Sequence, residues 1–551
     1  MKRILNMWCA LVLLLGMSVA AADTGIVSRN FVPAGANVIT RSFQDKARES
    51  VSLDDYTSLK AAIAALPATG GVINVPAKRY PAGVWKYDTN YMSKANVTLR
   101  GVKMPVCSAT CDRLVGGSVI EGRFNVFADN FTVENIGFDA GKYVVDTYYG
   151  GLDTHSANHP NGDTWDAFAF AQPSQTAPLN SAKNFAARNV IALNRDSLSY
   201  GHAMLIEAVD GGIVDNVIGM YGIHGVVIKS KNITGTYVAG YGASVNHVII
   251  KSDTYAHGGN IKLGTVETNY APPGVTPWSA PAVPAYGLLL NPATDSMDTI
   301  KIGKLRLFGA QTLFKAHGGA GMSLDNVQVA AIECEGFGVA GDLGIHFASG
   351  LIYNRIRFGT ATVLNTTDAV AYANGSDYGA DAMEFDSLTI ENASLRGLQA
   401  IGYGRIKIGR LRAKNVLGLY SIDDTARILI GREETIGVPT RFVLNPPAMT
   451  AGWQQLGGGF SSLAVRMHNY GVTLKGMIMP TGSPSADVMT LPPYLSPAEK
   501  TRLVAAARST ANVDGVVSVK FDAGKLTIND GAGVLGAENF LSLDNLHYEF
   551  D

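Results

Sequence analysis

A gapless repeat of 22 residues constrains the fold of this chain more than any other feature of its sequence. Three segments align at this spacing: Gly201–Glu207, Ile223–Lys229 and Val245–Lys251. Each is a short apolar run with β-branched residues, which is typical of a strand rather than a helix. A fixed period of this size indicates a solenoid, in which each repeat packs only on its neighbours. We therefore predict stacked strands whose equivalent residues lie ~4.8 Å apart.

The repeat also predicts two polar columns on the outside of the solenoid. They consist of His202, His224 and Asn246 at one level and of Glu207, Lys229 and Lys251 at another. The isoleucine before each member of the second column is expected to point inward, because side chains alternate along a strand. A rigid column of basic and imidazole groups suits an extended anionic substrate.

Composition agrees with a tightly turned all-β protein, since the chain has 61 glycines and only 17% charged residues. The formal net charge of −1 is near neutral, which argues against a nucleic-acid-binding protein. The length of 551 residues does not require several domains, because the core of a solenoid grows along one axis.

The first 22 residues have the pattern of a secretory signal. Lys2 and Arg3 precede the apolar run Trp8–Gly16, and Ala20–Ala22 supplies a small-residue cleavage site. The apolar run is too short to span a bilayer, and we predict no membrane span elsewhere. We therefore expect the mature chain to be secreted or periplasmic.

The cysteines fit an oxidising compartment. Cys107 and Cys111 could close a small loop disulfide, whereas Cys334 lies in an apolar run and is predicted to be a buried free thiol. Two neighbouring cysteines without a second pair do not form a zinc site.

Residues 54–80 combine several features in a fixed order. Asp54 and Asp55 are predicted to cap an amphipathic helix, Gly70–Gly71 ends it, and Val72–Pro76 begins a sheet. This order resembles the N-terminal cap of the pectate-lyase-like right-handed parallel β-helices. The resemblance implies an all-β, right-handed parallel β-helix with a capping helix, and later strand-like runs extend it to about residue 440.

We expect an arm at 23–53, a β-helix at 54–439 and a separate module at 440–551. Loop insertions are predicted at 141–183 and 265–284, where they would contribute to glycan binding or else cover a coil or mediate an oligomer contact. In the last module, Tyr470–Gly476, Thr490–Tyr494 and Leu541–Asp544 resemble the small β-sandwich of some phage tail fibres and tailspikes. That resemblance implies a homotrimer or a carbohydrate contact.

The charged column is predicted to carry the chemistry. Two stacked lysines repel each other, which lowers the pKa of a lysine and makes it a usable general base. Imidazole is the usual acid or base near neutral pH. The predicted catalytic residues are Lys251, Lys229, His224, His202, Asp253, Tyr255 and Glu207. The alternative is an ion-paired column that only holds the coils together.

A second set of residues is predicted to bind substrate. Lys251–Gly259 places a base, a carboxylate, a phenol and an imidazole on one strand-to-turn segment, and Lys315–Gly319 resembles it. The predicted substrate-binding residues are His247, His257, Lys315, His317, Asn291 and Trp165.

These observations predict a secreted lyase that cleaves an acidic, uronate-containing polysaccharide by β-elimination. An endo-acting glycoside hydrolase that uses Asp253 and Glu207 is one alternative, and a non-catalytic glycan-binding or adhesion protein is another. We predict no cofactor, although the acids near the column leave a calcium site open: Glu207, Asp210, Asp215 and Asp253.

Overall fold

Coils of parallel strands stack along the chain from residue 50 to residue 442. The computed structural model describes residues 49–81, 92–144, 166–171, 181–195, 201–254, 256–275, 285–337, 341–374, 383–422 and 426–438, with short strands before and after them. In the large sheet of this region, the described pairings are parallel and join each strand to its equivalent in the next coil. The predicted parallel β-helix is therefore confirmed.

The first strand of each coil belongs to one continuous sheet, here called sheet A. Its strands are Phe124–Val126, Phe168–Phe170, the first parts of His202–Tyr221 and His224–Tyr241, Asn246–Ser252, Tyr286–Pro292, Thr312–Ala316, Leu343–Phe347, Asp368–Asn374, Arg396–Gly402, Gly418–Ile422 and Thr440–Phe442.

The remaining strands complete the circumference of the coils. They are Ser50–Ser52, Gly71–Val75, Arg79–Tyr80, Val97–Gly101, Ser118–Glu121, Thr132–Ala140, Ala182–Asn194, the later parts of His202–Tyr221 and His224–Tyr241, Gly259–Asn269, Met297–Phe308, Ser323–Glu335, Ile352–Asn354, Arg357–Leu364, Met383–Glu391, Arg405–Lys414 and Arg427–Ile436.

The 22-residue spacing is one coil where the repeat occurs. His202 pairs with His224, which pairs with Asn246, and Glu207 pairs with Lys229. The isoleucines that precede the charged column lie in the core, as predicted. The register that the sequence predicted for these three coils is therefore confirmed.

Later coils of sheet A have unequal lengths. Ile249 pairs with Leu289, Leu289 with Lys315, and Lys315 with His346. The pairing stays parallel although the coils differ in length. Equivalent residues therefore still stack, but they are not separated by a constant number of residues.

One apolar core runs along the axis, and a short helix closes its N-terminal end. The helix Leu59–Ala65 buries Leu59 and Ala62 in that core, and the Ser58 side chain caps it by accepting a hydrogen bond from the Ala61 N–H at 3.0 Å. The predicted caps Asp54 and Asp55 lie instead in a preceding 3₁₀ turn, Leu53–Asp55.

Asparagines with positive φ occupy many corners of the coils and stack on one another. In one such column the Asn392 amide donates to the Asn365 side-chain oxygen at 2.9 Å, and Asn415 donates to Asn392 at 3.1 Å. These residues have φ of 53°, 59° and 53° in chain order. Asparagine tolerates the left-handed conformation better than most residues, and stacking satisfies its side-chain amide.

The two predicted insertions are shorter than the sequence suggested. The interval 141–183 contains the strand Phe168–Phe170, whose phenylalanines are buried in the core, and its last two residues begin Ala182–Asn194. Likewise, residues 265–269 belong to the strand Gly259–Asn269.

A small antiparallel hairpin, Val106–Cys107 with Leu114–Val115, packs outside the coils. Cys107 and Cys111 form a disulfide there, and each sulfur lies 3.6 Å from the sulfur of Met220. Cys334 is a buried free thiol, as predicted.

Antiparallel strands follow the β-helix. Thr440–Phe442 still pairs with Gly418–Ile422, so the parallel sheet passes the predicted boundary by three residues. The later strands are Trp453–Gln455, Ala464–His468, Gly471–Lys475, Met477–Pro480, Asp487–Thr490, Thr501–Arg508, Asp514–Asp522, Lys525–Ile528, Leu541–Ser542 and Leu546–Glu549, in sheets of seven and three strands. Near the N-terminus, Asn30–Phe31 pairs with Arg41–Ser42.

Candidate functional site

The outer face of sheet A carries a central column flanked by two polar rims. In the first coils the central column is apolar and buried, with Leu205, Val227, Ile249 and Leu289 packed in a cluster separate from the core. Their separation from the core shows that these side chains point outward. In the next two coils the same column contains Lys315 and His346, which are polar.

The first rim, the histidine rim, consists of His202, His224 and Asn246. The two imidazole rings stack with centroids 4.9 Å apart, and the Asn246 amide nitrogen lies 2.9 Å from His224 Nδ1. Burial, together with the charges of Lys251 and Lys229, lowers the pKa of His224 to about 4. Burial likewise holds the pKa of His202 well below its usual value. Both rings are therefore neutral near neutral pH.

The second rim, the charged rim, consists of Glu207, Lys229, Lys251 and Asp253. Lys229 Nζ lies 3.0 Å from Glu207 and 3.3 Å from Asp253, and Lys251 Nζ lies 3.0 Å from Asp253. Cations and carboxylates alternate, so the rim has no formal net charge.

The predicted lowering of the lysine pKa is wrong for Lys229. Burial lowers its pKa, but the charges of Glu207 and Asp253 outweigh burial, so its pKa is raised. Asp253 separates the two stacked ammonium groups, an arrangement that residue spacing did not show. Lys229 therefore stays protonated and is a poor general base.

The two rims are separate groups of side chains. His202 and Glu207 lie five positions apart on one strand, which corresponds to ~16 Å at the rise of a β-strand. The rims influence each other through charge, as the pKa values of the histidines show. Direct proton exchange between their first residues is not supported by this spacing.

Four residues of the following coils form a second cluster, here called the basic patch: Asn291, Lys315, His317 and His346. Asn291 pairs with Lys251 of the charged rim, so the patch continues directly from that rim. The His317 N–H donates to the Leu290 carbonyl at 3.1 Å, which places His317 in the coil next to Asn291. His317 is exposed, and the other three are half-buried.

Lys315 and His346 form the closest pair in the basic patch. They occupy the central column directly after Leu289, and Lys315 Nζ lies 2.8 Å from His346 Nδ1. Burial lowers the pKa of Lys315 to about 8. Burial and the Lys315 charge lower the pKa of His346 to about 4. The lysine can thus be neutral at a mildly alkaline pH.

An ion pair borders the basic patch. Arg396 Nε and Nη2 donate to the two oxygens of Asp368 at 2.8 and 2.7 Å, and the Asp368 side chain is only 7% exposed. This bidentate pair fixes both side chains. It lies on the two coils after His346, at the level of the histidine rim.

The turn after Lys251 carries another polar group. Asp295 accepts a hydrogen bond from the Ser252 hydroxyl at 3.1 Å and also contacts His257 Nδ1. The Gly258 N–H donates to Ser252 Oγ at 3.0 Å. These contacts place His257 beside the charged rim, with 41% of its side chain exposed.

Asp166 is a site residue that sequence reasoning missed. It is fully buried, its Oδ1 accepts a hydrogen bond from the His202 N–H at 2.6 Å, and burial raises its pKa to about 7. Oδ2 has no hydrogen-bond partner among the described residues. Asp166 stood in a segment interpreted as a loop insertion, so nothing in the sequence connected it to the coils.

One predicted residue is inaccessible to a glycan, and two others have no described position. His247 is fully buried, and its ring has no exposed surface with which to contact a glycan. Trp165 and Tyr255 fall outside the described residues. His346 was not predicted as a site residue, because its separation of 31 positions from Lys315 matches no repeat.

Within the described ranges, no group of three or more His, Cys, Asp or Glu side chains could hold a metal ion. No helix in the part of the chain that the structure describes is long and apolar enough to cross a membrane.

Comparisons with known proteins give likenesses to solved structures only. No protein-family model and no curated protein matches the sequence. The tailspike protein of E. coli bacteriophage HK620 in complex with a pentasaccharide aligns at 11% identity and a TM-score of 0.33, over 96% of this chain and 99% of that chain. A double mutant of the same tailspike aligns with a TM-score of 0.35 and the same identity and coverage. The fold assignment itself rests on the strand pairings of this chain.

Proposed function

We propose that this protein is a polysaccharide lyase that binds an acidic glycan along the outer face of sheet A and cleaves it by β-elimination. The observation that carries the proposal is the placement of polar side chains in two neighbouring columns on four successive coils, with Lys251 and Asn291 in the charged-rim column and Lys315 and His346 in the central column. Coils that stack at ~4.8 Å thus offer donors and cations in succession along a rigid surface. A chain of uronates presents carboxylates and hydroxyls that match those donors.

The chemistry of the basic patch favours elimination. β-Elimination needs a base that removes the proton next to a carboxylate and cations that stabilise the resulting charge. Lys315, His317 and His346 supply nitrogen bases, whereas this patch contains no carboxylate of its own.

The experiment is to incubate the protein with a panel of uronate-containing polysaccharides and to follow ultraviolet absorbance and reducing ends together. Elimination creates a conjugated C4=C5 double bond that absorbs, and each cleavage also produces one reducing end. We expect both signals to rise in step with at least one polymer. Reducing ends without absorbance would contradict the elimination.

A glycoside hydrolase that uses Glu207 and Asp253 is the second candidate. These two carboxylates of the charged rim both contact Lys229 Nζ, at 3.0 and 3.3 Å, and glycosidases use a pair of neighbouring carboxyl groups. Reducing ends without absorbance, lost in Glu207→Gln, would support this candidate. Binding without any product would instead support a glycan-binding or adhesion protein.

We further propose that the mature protein acts outside the cytoplasm and forms a homotrimer. The signal-like pattern of the first 22 residues supports the location. The Cys107–Cys111 disulfide is consistent with an oxidising compartment. The trimer rests on the resemblance of the C-terminal module to tail-fibre tips.

A further inference from the structure

We infer that Lys315 is the general base of the elimination and that His346 positions its amine. This inference rests on the proposed function, and it moves the base from the charged rim to the central column. Lys315 and His346 occupy equivalent positions on neighbouring coils, and Nζ lies 2.8 Å from Nδ1. Lys229 and Lys251 are held instead by carboxylates.

Geometry places Lys315 where an apolar floor ends. Leu205, Val227, Ile249 and Leu289 precede it in the same outward column and are buried. The ammonium form of Lys315 is poorly solvated at this position, which favours the neutral amine. The adjacent ring of His346 is neutral, so it does not stabilise the ammonium form by an opposite charge.

Three titratable side chains lie around Lys315: those of His346, His317 and Asp368. His346 is hydrogen-bonded to Lys315, and its pKa of about 4 leaves it neutral, so its Nδ1 can accept a hydrogen bond from the amine. His317 lies two positions after Lys315 and is exposed. Asp368 raises the pKa of His346 slightly but is itself paired with Arg396. Among the described residues, no carboxylate pairs with Lys315 in the way that Glu207 and Asp253 pair with Lys229.

The step balances without any further reactant. The Lys315 amine takes the proton from C5, next to the uronate carboxylate, and the C5–H electron pair forms the C4=C5 double bond. The C4–O bond breaks, and the leaving oxygen receives the proton from the Lys315 ammonium. The products are an unsaturated uronate end and a new hydroxyl end, and the amine is regenerated.

The decisive variant is Lys315→Arg, compared with Lys315→Met and with Lys262→Met as the matched control. Arginine keeps a cation for binding but does not deprotonate, because its pKa exceeds ~12. Lys262 is an exposed lysine on another strand, Gly259–Asn269. We expect kcat to fall ~10²-fold or more in both Lys315 variants, with a KM close to that of the parent in Lys315→Arg. Lys262→Met should retain parental kcat and KM.

The pH profile separates a base from a structural lysine. In the parent, kcat/KM should rise through about pH 8 as Lys315 loses its proton. His346→Ala admits water to the amine, so the rise of kcat/KM should move to higher pH. His346→Gln again places a polar side chain beside the amine and should restore part of the kcat lost in His346→Ala. Circular dichroism of each variant checks that the fold is retained.

The outcomes distinguish the two proposals. Absorbance from the parent together with normal turnover of folded Lys315→Arg overturns the assignment of the base and leaves the lyase intact. An unchanged pH limb in His346→Ala overturns the positioning role. No absorbance from the parent with any uronate polymer overturns the lyase itself, and the assignment of its base with it.

Discussion

Buried histidines dominate the titration of this molecule at the scale of single residues. His247 is fully buried, neither ring nitrogen has a hydrogen-bond partner among the described residues, and burial lowers its pKa to about 3. His202, His224 and His346 shift in the same direction. The raised pKa of Asp166 has the opposite effect on stability, because its folded form takes up a proton more readily than the unfolded chain does. Four histidines have lowered pKa values, so we expect the free energy of unfolding to fall as the pH is lowered.

We predict that His247→Leu weakens this pH dependence. The unfolded chain takes up a proton below pH ~6.5, whereas the folded His247 does not until about pH 3, so stability is lost as pH falls between these values. Leucine cannot take up that proton. It also replaces a buried polar ring whose nitrogens lack partners among the described residues, which should raise the free energy of unfolding by about 1 kcal/mol at pH 7.

Urea unfolding at several pH values between 7.5 and 4 measures the effect, with the exposed His317→Leu as the control. The free energy of unfolding of His247→Leu should fall less toward acid than that of the parent and of the control. Parallel curves for all three proteins would refute the account of His247.

At the same scale, the sequence predicted which residues of the charged column stack, but it did not predict the pKa of Lys229. Glu207 and Lys229 pair as the spacing predicted. The position of Asp253 between two lysines depends on how the chain turns after Lys251, and a one-dimensional spacing does not contain that turn. For this reason the pKa of Lys229 was predicted in the wrong direction.

At the scale of elements, the asparagine columns at the corners support the stacking of the coils. Asn392 has a φ of 59° and bonds to an asparagine on each side, Asn365 and Asn415. The conformation and the hydrogen bonds are separate contributions to stability, and they can be measured separately.

We predict that Asn392→Ala lowers the free energy of unfolding by about 2 to 3 kcal/mol, because alanine loses both hydrogen bonds and is strained at positive φ. Asn392→Gly loses the same hydrogen bonds without the strain, so it should cost roughly 1 kcal/mol less than alanine. Chemical unfolding of both variants gives the comparison. Equal values for alanine and glycine would show that the backbone strain contributes nothing.

Individual elements were predicted from the sequence where their local pattern was clear. The strand Gly71–Val75 and the helix that precedes it were recognised from local pattern alone. The strand Phe168–Phe170 was missed because three residues are too few to show a strand pattern. Lys315 and His346 were not connected because the coils differ in length, so their stacking follows no fixed spacing in the sequence.

At the scale of the whole molecule, the β-helix and the C-terminal strands differ in architecture. Sheet A is parallel through Thr440–Phe442, and the strands from Trp453 onward are antiparallel. Leu395 and Leu417 near the end of the solenoid are 42% and 52% exposed. An exposed apolar pair beside a change of architecture is compatible with a contact between subunits.

We predict that the intact protein is a homotrimer and that a chain ending after Phe442 is a folded monomer. Light scattering measures both masses, and circular dichroism shows whether the shorter chain keeps its strands. Leu395→Lys with Leu417→Lys in the intact chain tests the apolar pair separately. A monomeric intact protein would refute the trimer, and a trimeric truncation would remove the C-terminal module from assembly.

The most direct test of the account is a crystal structure of Lys315→Arg with an acidic oligosaccharide. We predict a sugar chain that runs parallel to the solenoid axis on the outer face of sheet A, crossing Lys251, Asn291 and His317, with one uronate carboxylate next to position 315. A sugar chain bound on another face of the coils, or only on the C-terminal strands, would contradict it.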